Sequence, residues 1–216
     1  MAKHFVSNKD ESVRMFKSDF LEAFSKVHPI TPLIVFLPII SYFWYLAGVT
    51  YQLPWHSILG WAALGLLVWT FVEYAMHRFI FHYHPSSDWG KRLHFLFHGV
   101  HHDYPNDSRR LVLPPTVSIP LATMFYFLFR TMLAEGPLAP FFAMFLTGYL
   151  VYDLGHYALH HFPLRYKFWQ DLKQHHMRHH YQEPDQGYGV SSPLWDWILR
   201  TEFKAKAAKE KERQKA

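Results

Sequence analysis

The stretch VHPITPLIVFLPIISYFWYLAGVTYQLPWHSILGWAALGLLVWTFV, residues 27–72, holds 46 positions without an Asp, Glu, Lys or Arg. A helix needs about 20 predominantly apolar residues to cross a bilayer, within a range of about 17–25, so this run is two spans long. It breaks near Gly48-Val-Thr-Tyr-Gln-Leu-Pro54, where Gly and Pro flank polar residues. The run therefore reads as a helical hairpin: a first span over residues 32–49, kinked at Pro38, and a second over residues 56–76. Buried core helices of a soluble protein do not readily account for so long a stretch without a charge.

Further along, residues 111–129 give another 19 uncharged positions and residues 136–152 another 17, meeting at Ala134-Glu-Gly-Pro137. They predict a second hairpin. Pro114 and Pro115 suit the first turn of the third span, and the fourth begins near Leu138. The expected fold is an all-α integral membrane protein, four transmembrane helices in two hairpins under a cytoplasmic, helical, His-rich metal cap. The mean hydropathy of -0.10 conceals this, because polar and apolar residues are segregated in blocks. At 216 residues the chain is long enough for a single domain. Its expected divisions are an interfacial segment (1–27), first hairpin (28–76), His-bearing segment (77–110), second hairpin (111–155), second His-bearing segment and cap (156–203) and polar tail (204–216). In the first of these, Val13, Phe16, Phe20 and Phe24 fall at helical spacing and suggest an amphipathic interfacial helix over residues 11–27. No cleavable signal peptide is visible, since the first long apolar run starts late and behaves as a span. The Ala-rich, mixed-charge tail reads as a solvated helix or disorder.

Charge gives the direction. Five Lys and Arg precede the first span, five lie between the hairpins and 11 follow the fourth, which is 21 of 22 on one side; Arg130 is the exception. The positive-inside rule puts that side, with both termini, in the cytoplasm. The pI of 9.3 then reflects orientation and affinity for anionic headgroups, with no need of nucleic acid.

On the same side lie two HxxHH segments, His98-Gly-Val-His101-His102 and His176-Met-Arg-His179-His180. On a helix turning about 100° per residue, the second His of such a box falls about 60° to one side of the first and the third about 40° to the other. Three imidazoles thus fan over one face, an arrangement that suits a pair of metal ions, and two fans can clamp a dinuclear centre from opposite sides. A His pair precedes each box at the membrane edge. His156 and His160, i and i+4, share a helical face. His77 and His82, five apart, diverge by about 140° on an ideal helix and can face one site only where the helix loosens or ends. From His82 to His98 is 16 residues, and from His160 to His176 is also 16. This echo suggests two hairpin units related by an axis along the membrane normal.

The chain has 17 His and no Cys, so disulfides and thiolate metal sites are excluded. The pairs and boxes supply ten candidate ligands, about five per metal; His4, His28, His56, His84, His94, His161 and His175 fit the pattern less well. A neutral all-His shell suits divalent iron, zinc, copper or nickel. Ten ligands match one structural zinc poorly, since such sites are usually four-coordinate. The H-E-x-x-H of zinc peptidases and the Glu-x-x-His of carboxylate-bridged di-iron bundles are both missing. Breaking an aliphatic C–H bond calls for redox metal and dioxygen, with the protein positioning the reactants. Glu73, four residues before His77, and Asp153, three before His156, are candidates to orient ligands or their neighbours. A non-redox metal-binding or transport protein is the alternative of another class, but transport usually places ligands near the bilayer midplane.

Four segments resemble the His boxes of the membrane fatty acid hydroxylase superfamily, most closely those of fatty acid 2-hydroxylases. They are Glu73-Tyr-x-x-His-Arg-Phe-x-Phe-His82, His98-Gly-x-His-His-x-x-Pro-x-Asp-x-x-Arg-Leu-Val-x-Pro-Pro115, Tyr152-Asp-x-x-His-Tyr-x-x-His-His161 and His176-x-x-His-His180. Gly187-x-Gly-Val-Ser-Ser-x-Leu-Trp-Asp196 resembles the family's carboxy-terminal signature. The resemblance is strong over residues 72–201 and weak before them. It implies two iron ions, with zinc able to replace them on isolation, held by His77, His82, His98, His101, His102, His156, His160, His176, His179 and His180. It implies a monooxygenase that uses dioxygen to hydroxylate the 2-position of a fatty acid or of the acyl chain of a sphingolipid. A sterol or carotenoid oxidase, or a desaturase, is the alternative within the superfamily. Many relatives carry a fused b-type cytochrome, and no His-Pro-Gly-Gly segment occurs here. The expected electron donor is therefore separate, such as a b-type cytochrome or a ferredoxin with its reductase. The expected location is the endoplasmic reticulum in a eukaryote or the inner membrane in a bacterium.

Overall fold

The computed structural model describes residues 5–203; the charged tail lies outside them. Among the described residues there are helices and no strands. A short α1 (Asp19–Phe24) precedes α2 (Thr31–Tyr45), which widens into a π turn over Leu46–Thr50, and α3 (Trp55–Met76), which widens into another over His77–Phe81. Next come α4 (Asp88–His94), a π turn over Phe95–Gly99 and α5 (Val100–Asp103). The chain continues through α6 (Pro115–Arg130), α7 (Glu135–His161), α8 (Lys167–Tyr181) and α9 (Leu194–Ile198).

Among the described residues, three helical segments are long and apolar enough to cross a membrane: Thr31–Thr50, Trp55–Phe81 and Glu135–His161. The predicted third span is shorter than its apolar run. Its first residues are not helical, since Pro114 is extended with ψ 145°, and α6 keeps 16 residues. Proline sets the boundaries as expected: Pro54 and Pro114 precede α3 and α6, and Pro115 fills the first position of α6, where a missing N–H costs nothing.

α7 is the axis of the molecule. Its apolar window is 67% buried, against 17% for the first spanning segment and 22% for the second, so the others pack around it. α3 lies closest. The peptide of Phe141 sits against Gly65, and the indole of Trp69 sits against Gly148 so tightly that neither glycine has room for a Cβ. Phe36, Trp69, Phe129, Phe141, Phe145 and Leu146 form the core between the helices. Ile34, Leu37, Leu59, Leu67, Phe127 and Val151 point outward and are exposed. That much apolar surface is ordinary for helices facing lipid and costly for a protein in water.

The amino-terminal segment departs from the expected helix over residues 11–27, of which only Asp19–Phe24 is helical. Side chains take the backbone groups a longer helix would need. The Glu22 carboxylate accepts the amides of Met15 (2.9 Å) and Phe16 (3.0 Å), and Arg14 donates to the carbonyls of Phe16 and Lys17. The segment is instead a strap laid along the loop after α5. The amides of Val6 and Ser7 donate to the Asp103 carbonyl, Ser108 N donates to Asp10, Ser12 donates to Asp107 at 2.6 Å, and Val27 N donates to the Arg109 carbonyl. Arg110, its side chain 3% exposed, joins Glu22 at 2.5 Å and donates to the carbonyl of Val13.

Candidate metal centre

The ten candidate histidines converge at one end of α3 and α7 in two groups of five. His77, His82, His98, His102 and His179 form the first; His101, His156, His160, His176 and His180 form the second, and within each group the possible ligand atoms all lie within 4.8 Å of one another. The grouping follows helical spacing. The first and third histidines of each box, i and i+4, stay together, and the middle one crosses to the other group. Each hairpin's pair joins the i, i+4 pair of the box that follows it and the middle His of the other box. The two groups are therefore equivalent in chain order, in keeping with the repeat seen in the sequence.

The His77–His82 spacing is accommodated by the π turn. His82 N bonds the carbonyl of His77 at 3.1 Å, an i→i+5 bond that brings residues five apart onto one side. His156 and His160 lie on regular α7. His98 lies in a π turn and His101 and His102 in α5, while His176, His179 and His180 share unbroken α8.

The Nε2 atoms of His77 and His98 are 3.1 Å apart, His98 and His82 3.2 Å, and His179 and His82 3.0 Å. In the second group the Nε2 atoms of His160 and His176 are 2.9 Å apart and those of His180 and His176 3.0 Å. Two nitrogens about 2.0–2.1 Å from one ion and at right angles are about 2.9 Å apart, so the spacing fits first-row metal ligation. The Nε2 atoms of His101, His102 and His156 are buried with no hydrogen-bond partner, as atoms reserved for an ion would be. Burial, then the neighbouring imidazoles, holds His98, His101, His102, His176 and His180 well below the usual histidine range, and burial pushes His179 down to about 3. At neutral pH these rings are uncharged, which is the form that binds metal.

Further groups surround the centre. Nδ1 of His77 donates to the Tyr188 carbonyl at 2.5 Å and Nδ1 of His179 to the Gln186 carbonyl at 2.8 Å. The hydrogen bonds of Glu73 go to the loop carrying those carbonyls, from Val190 N at 3.0 Å, Ser191 N at 2.8 Å and the Ser191 hydroxyl, rather than to an imidazole. Asp153 accepts from Leu113 N at 3.1 Å and the Tyr149 hydroxyl at 3.1 Å. The loop carbonyls could not be read from spacing, for backbone carries no residue-type signal; the only pointer was the Gly187…Asp196 signature. Of the other described histidines, His175 lies 3.3 Å from Asp196, His84 pairs with His94 and His161 stacks on Tyr157.

Against the centre opens a largely apolar cavity of about 510 Å³. Met15, Phe16, Phe20, Leu21 and Phe24 of the strap form one wall, and Leu96, Phe97, Leu111, Val112 and Val117 form others. His98, from the first group, and His101 and His156, from the second, also line it.

A family model for fatty acid hydroxylases matches residues 62–201, which include all ten histidines, and the chain belongs to the fatty acid hydroxylase family. It is 37% identical over 209 residues to a rat fatty acid 2-hydroxylase, with 88% of this chain and 56% of that protein covered. The chain thus spans little more than half the length of that relative. An Arabidopsis thaliana dihydroceramide fatty acyl 2-hydroxylase is 35% identical over 204 residues, covering 93% of this chain and 84% of its own. Among solved structures, the visible hydroxylase domain of full-length scs7p matches with a TM-score of 0.81 and 35% identity, over 86% of this chain and 70% of that one.

Proposed function

We propose that this chain is a dioxygen-dependent monooxygenase that places a hydroxyl on C2 of a fatty acyl chain, as a free acid or within a sphingolipid. The observation that carries the reading is the cavity, an apolar slot with histidines of both groups in its wall. The names of the relatives support the position and the lipid class. In this reading the ten histidines hold two iron ions, which with dioxygen supply the oxidising power that side chains lack. The chain's own part is positioning. Neutral imidazoles present their lone pairs to the ions, the loop carbonyls of Gln186 and Tyr188 fix two of the rings, and the apolar walls seat the acyl chain and exclude water. The reaction balances as one C–H and dioxygen, with two electrons and two protons, giving one C–OH and water. The electrons come from outside these 216 residues, from a donor such as a b-type cytochrome or a ferredoxin with its reductase.

In the same proposal α6 completes a fourth crossing, and the basic residues set the His cap and both termini on the cytoplasmic side. That side faces the cytosol from the endoplasmic reticulum in a eukaryote or from the inner membrane in a bacterium. The chain has no native Cys, so a single cysteine near Gly90 reports cleanly. It should be blocked by a permeant thiol reagent and spared by an impermeant one in intact cells.

The deciding experiment is lipid analysis of cells with and without the gene. We expect acyl lipids heavier by one oxygen, with the hydroxyl on C2. A hydroxylated sterol or carotenoid, or a new double bond, would overturn the assignment. Zinc in the isolated protein would agree with the order of metal affinities and would leave the iron assignment to be tested by reconstitution.

A further inference from the structure

The two histidine groups differ in what the second ring nitrogen meets. In the first group, Nδ1 of His77 and of His179 both donate to carbonyls of one loop, those of Tyr188 and Gln186. That loop is itself fixed. Asp196, 0% exposed, accepts the amides of Tyr188 and Gly189, both at 2.8 Å, and the Thr201 hydroxyl at 2.7 Å. Glu73 takes the amides of Val190 and Ser191 and the Ser191 hydroxyl. In the second group, Nδ1 of His160, of His176 and of His180 is buried with no partner.

An imidazole ligand that donates its other N–H is fixed in tautomer and rotation and is a stronger base. One whose N–H is buried without an acceptor carries the cost of that desolvated donor and is held only by packing. Resting on the reading that both groups bind metal, we infer that the two metal positions are not equivalent. The first is tight and exchanges slowly, the second releases its ion first, and Asp196 is the positioning residue that sets the difference by fixing the Tyr188 carbonyl under His77. Asp196 touches no candidate ligand among its hydrogen bonds; it acts through the peptides of Tyr188 and Gly189.

Metal release tests this without turnover. Full-length protein loaded with zinc is mixed with excess chelator and release is followed with a metal-sensitive dye. Wild type should show two phases of equal amplitude. Asp196→Asn should speed the slow phase by roughly 10–100-fold, the range for lost outer contacts of metal ligands, and leave the fast phase unchanged. Ser191→Ala, which removes one bond to Glu73, should speed the slow phase less. It carries the same discrimination should Asp196→Asn not fold. A single phase in wild type overturns the inference, as does acceleration of both phases together, of the fast phase alone or of neither. Two phases in a protein that hydroxylates no lipid would remove the hydroxylase reading and leave this one. A single phase in an active hydroxylase would remove this one alone.

Discussion

The two halves of the histidine centre do one job with different backbones. From His77 to Asp103 the chain passes through two π turns and a four-residue helix. From His156 to His180 it uses regular α7 and α8 joined by a short loop. The difference begins with one residue of spacing: the first pair is i, i+5 and the second i, i+4. A regular helix aligns only the second, so the first half widens its turn to bring His82 beside His77. What the repeat keeps is the convergence of rings, and the backbone yields to it.

The largest effects should come from the middle histidines, because each crosses between the halves. Elemental analysis should find His101→Ala depleted in the second ion and His179→Ala in the first, with hydroxylation lost in both. Two ions and full activity in either variant would remove that histidine from the ligand set. Next, deleting Ile80, an exposed residue of the π turn, makes the first pair i, i+4. We expect the turn to close to an α-helix and both ions to remain. One alanine inserted after Tyr157 makes the second pair i, i+5 in the most buried helix and should expel the second ion. The opposite outcome in metal analysis would show the π turn to be required for itself.

Smaller differences should separate the two carboxylates. Glu73→Gln loosens the loop under His77 and His179, so metal affinity of the first group should fall by roughly 10–100-fold. Asp153→Asn disturbs Leu113, in the cavity wall. The bond from Leu113 N weakens without being removed, which should raise the KM for lipid while metal content in equilibrium dialysis stays near wild type. The smallest effect concerns the strap, which lies along the first half and meets the second at Tyr181, whose hydroxyl donates to Asn8 at 2.7 Å. Burial raises the Glu22 carboxyl, but the amides of Phe16 and Met15, with Lys26 and Arg110, bring it below its ordinary 4.5. The unfolded chain then binds the proton more readily, so the contribution of Glu22 is full above about pH 4.5 and is lost as pH falls through the lower, folded value. Hydrogen exchange of residues 13–24, corrected for intrinsic rates, should stay constant above that pH and quicken below it. The segment after α8, held by Arg178 and Glu183 at 2.7 Å, should quicken less.

Much of this was legible from residue type and period. Long uncharged runs gave the apolar helices, and prolines gave the starts of α3 and α6, because bilayer thickness and the missing N–H act locally. The angular fan of HxxHH foretold that each box serves both groups, which is how His101 and His179 are placed. What escaped depends on contacts distant in sequence. Glu22 meets Arg110 across 88 residues and Glu73 meets Ser191 across 118, and no period records such meetings. The strap was misread for that reason: Phe16, Phe20 and Phe24 keep helical spacing, yet they serve as cavity wall, with most of the segment irregular.

The indole of Trp69 resting on Gly148 works as a caliper. His77 lies eight residues beyond Trp69 and His156 eight beyond Gly148, about 12 Å along each helix. The gap between α3 and α7 at this contact is carried to the ends where the two histidine groups face each other. A single methyl at position 148 would wedge the helices apart, and its effect would surface in the spacing of two histidine groups that no atom of residue 148 approaches. A spectroscopist would file such a variant under active-site mutants, and a map of coordinates would place it in the middle of α7.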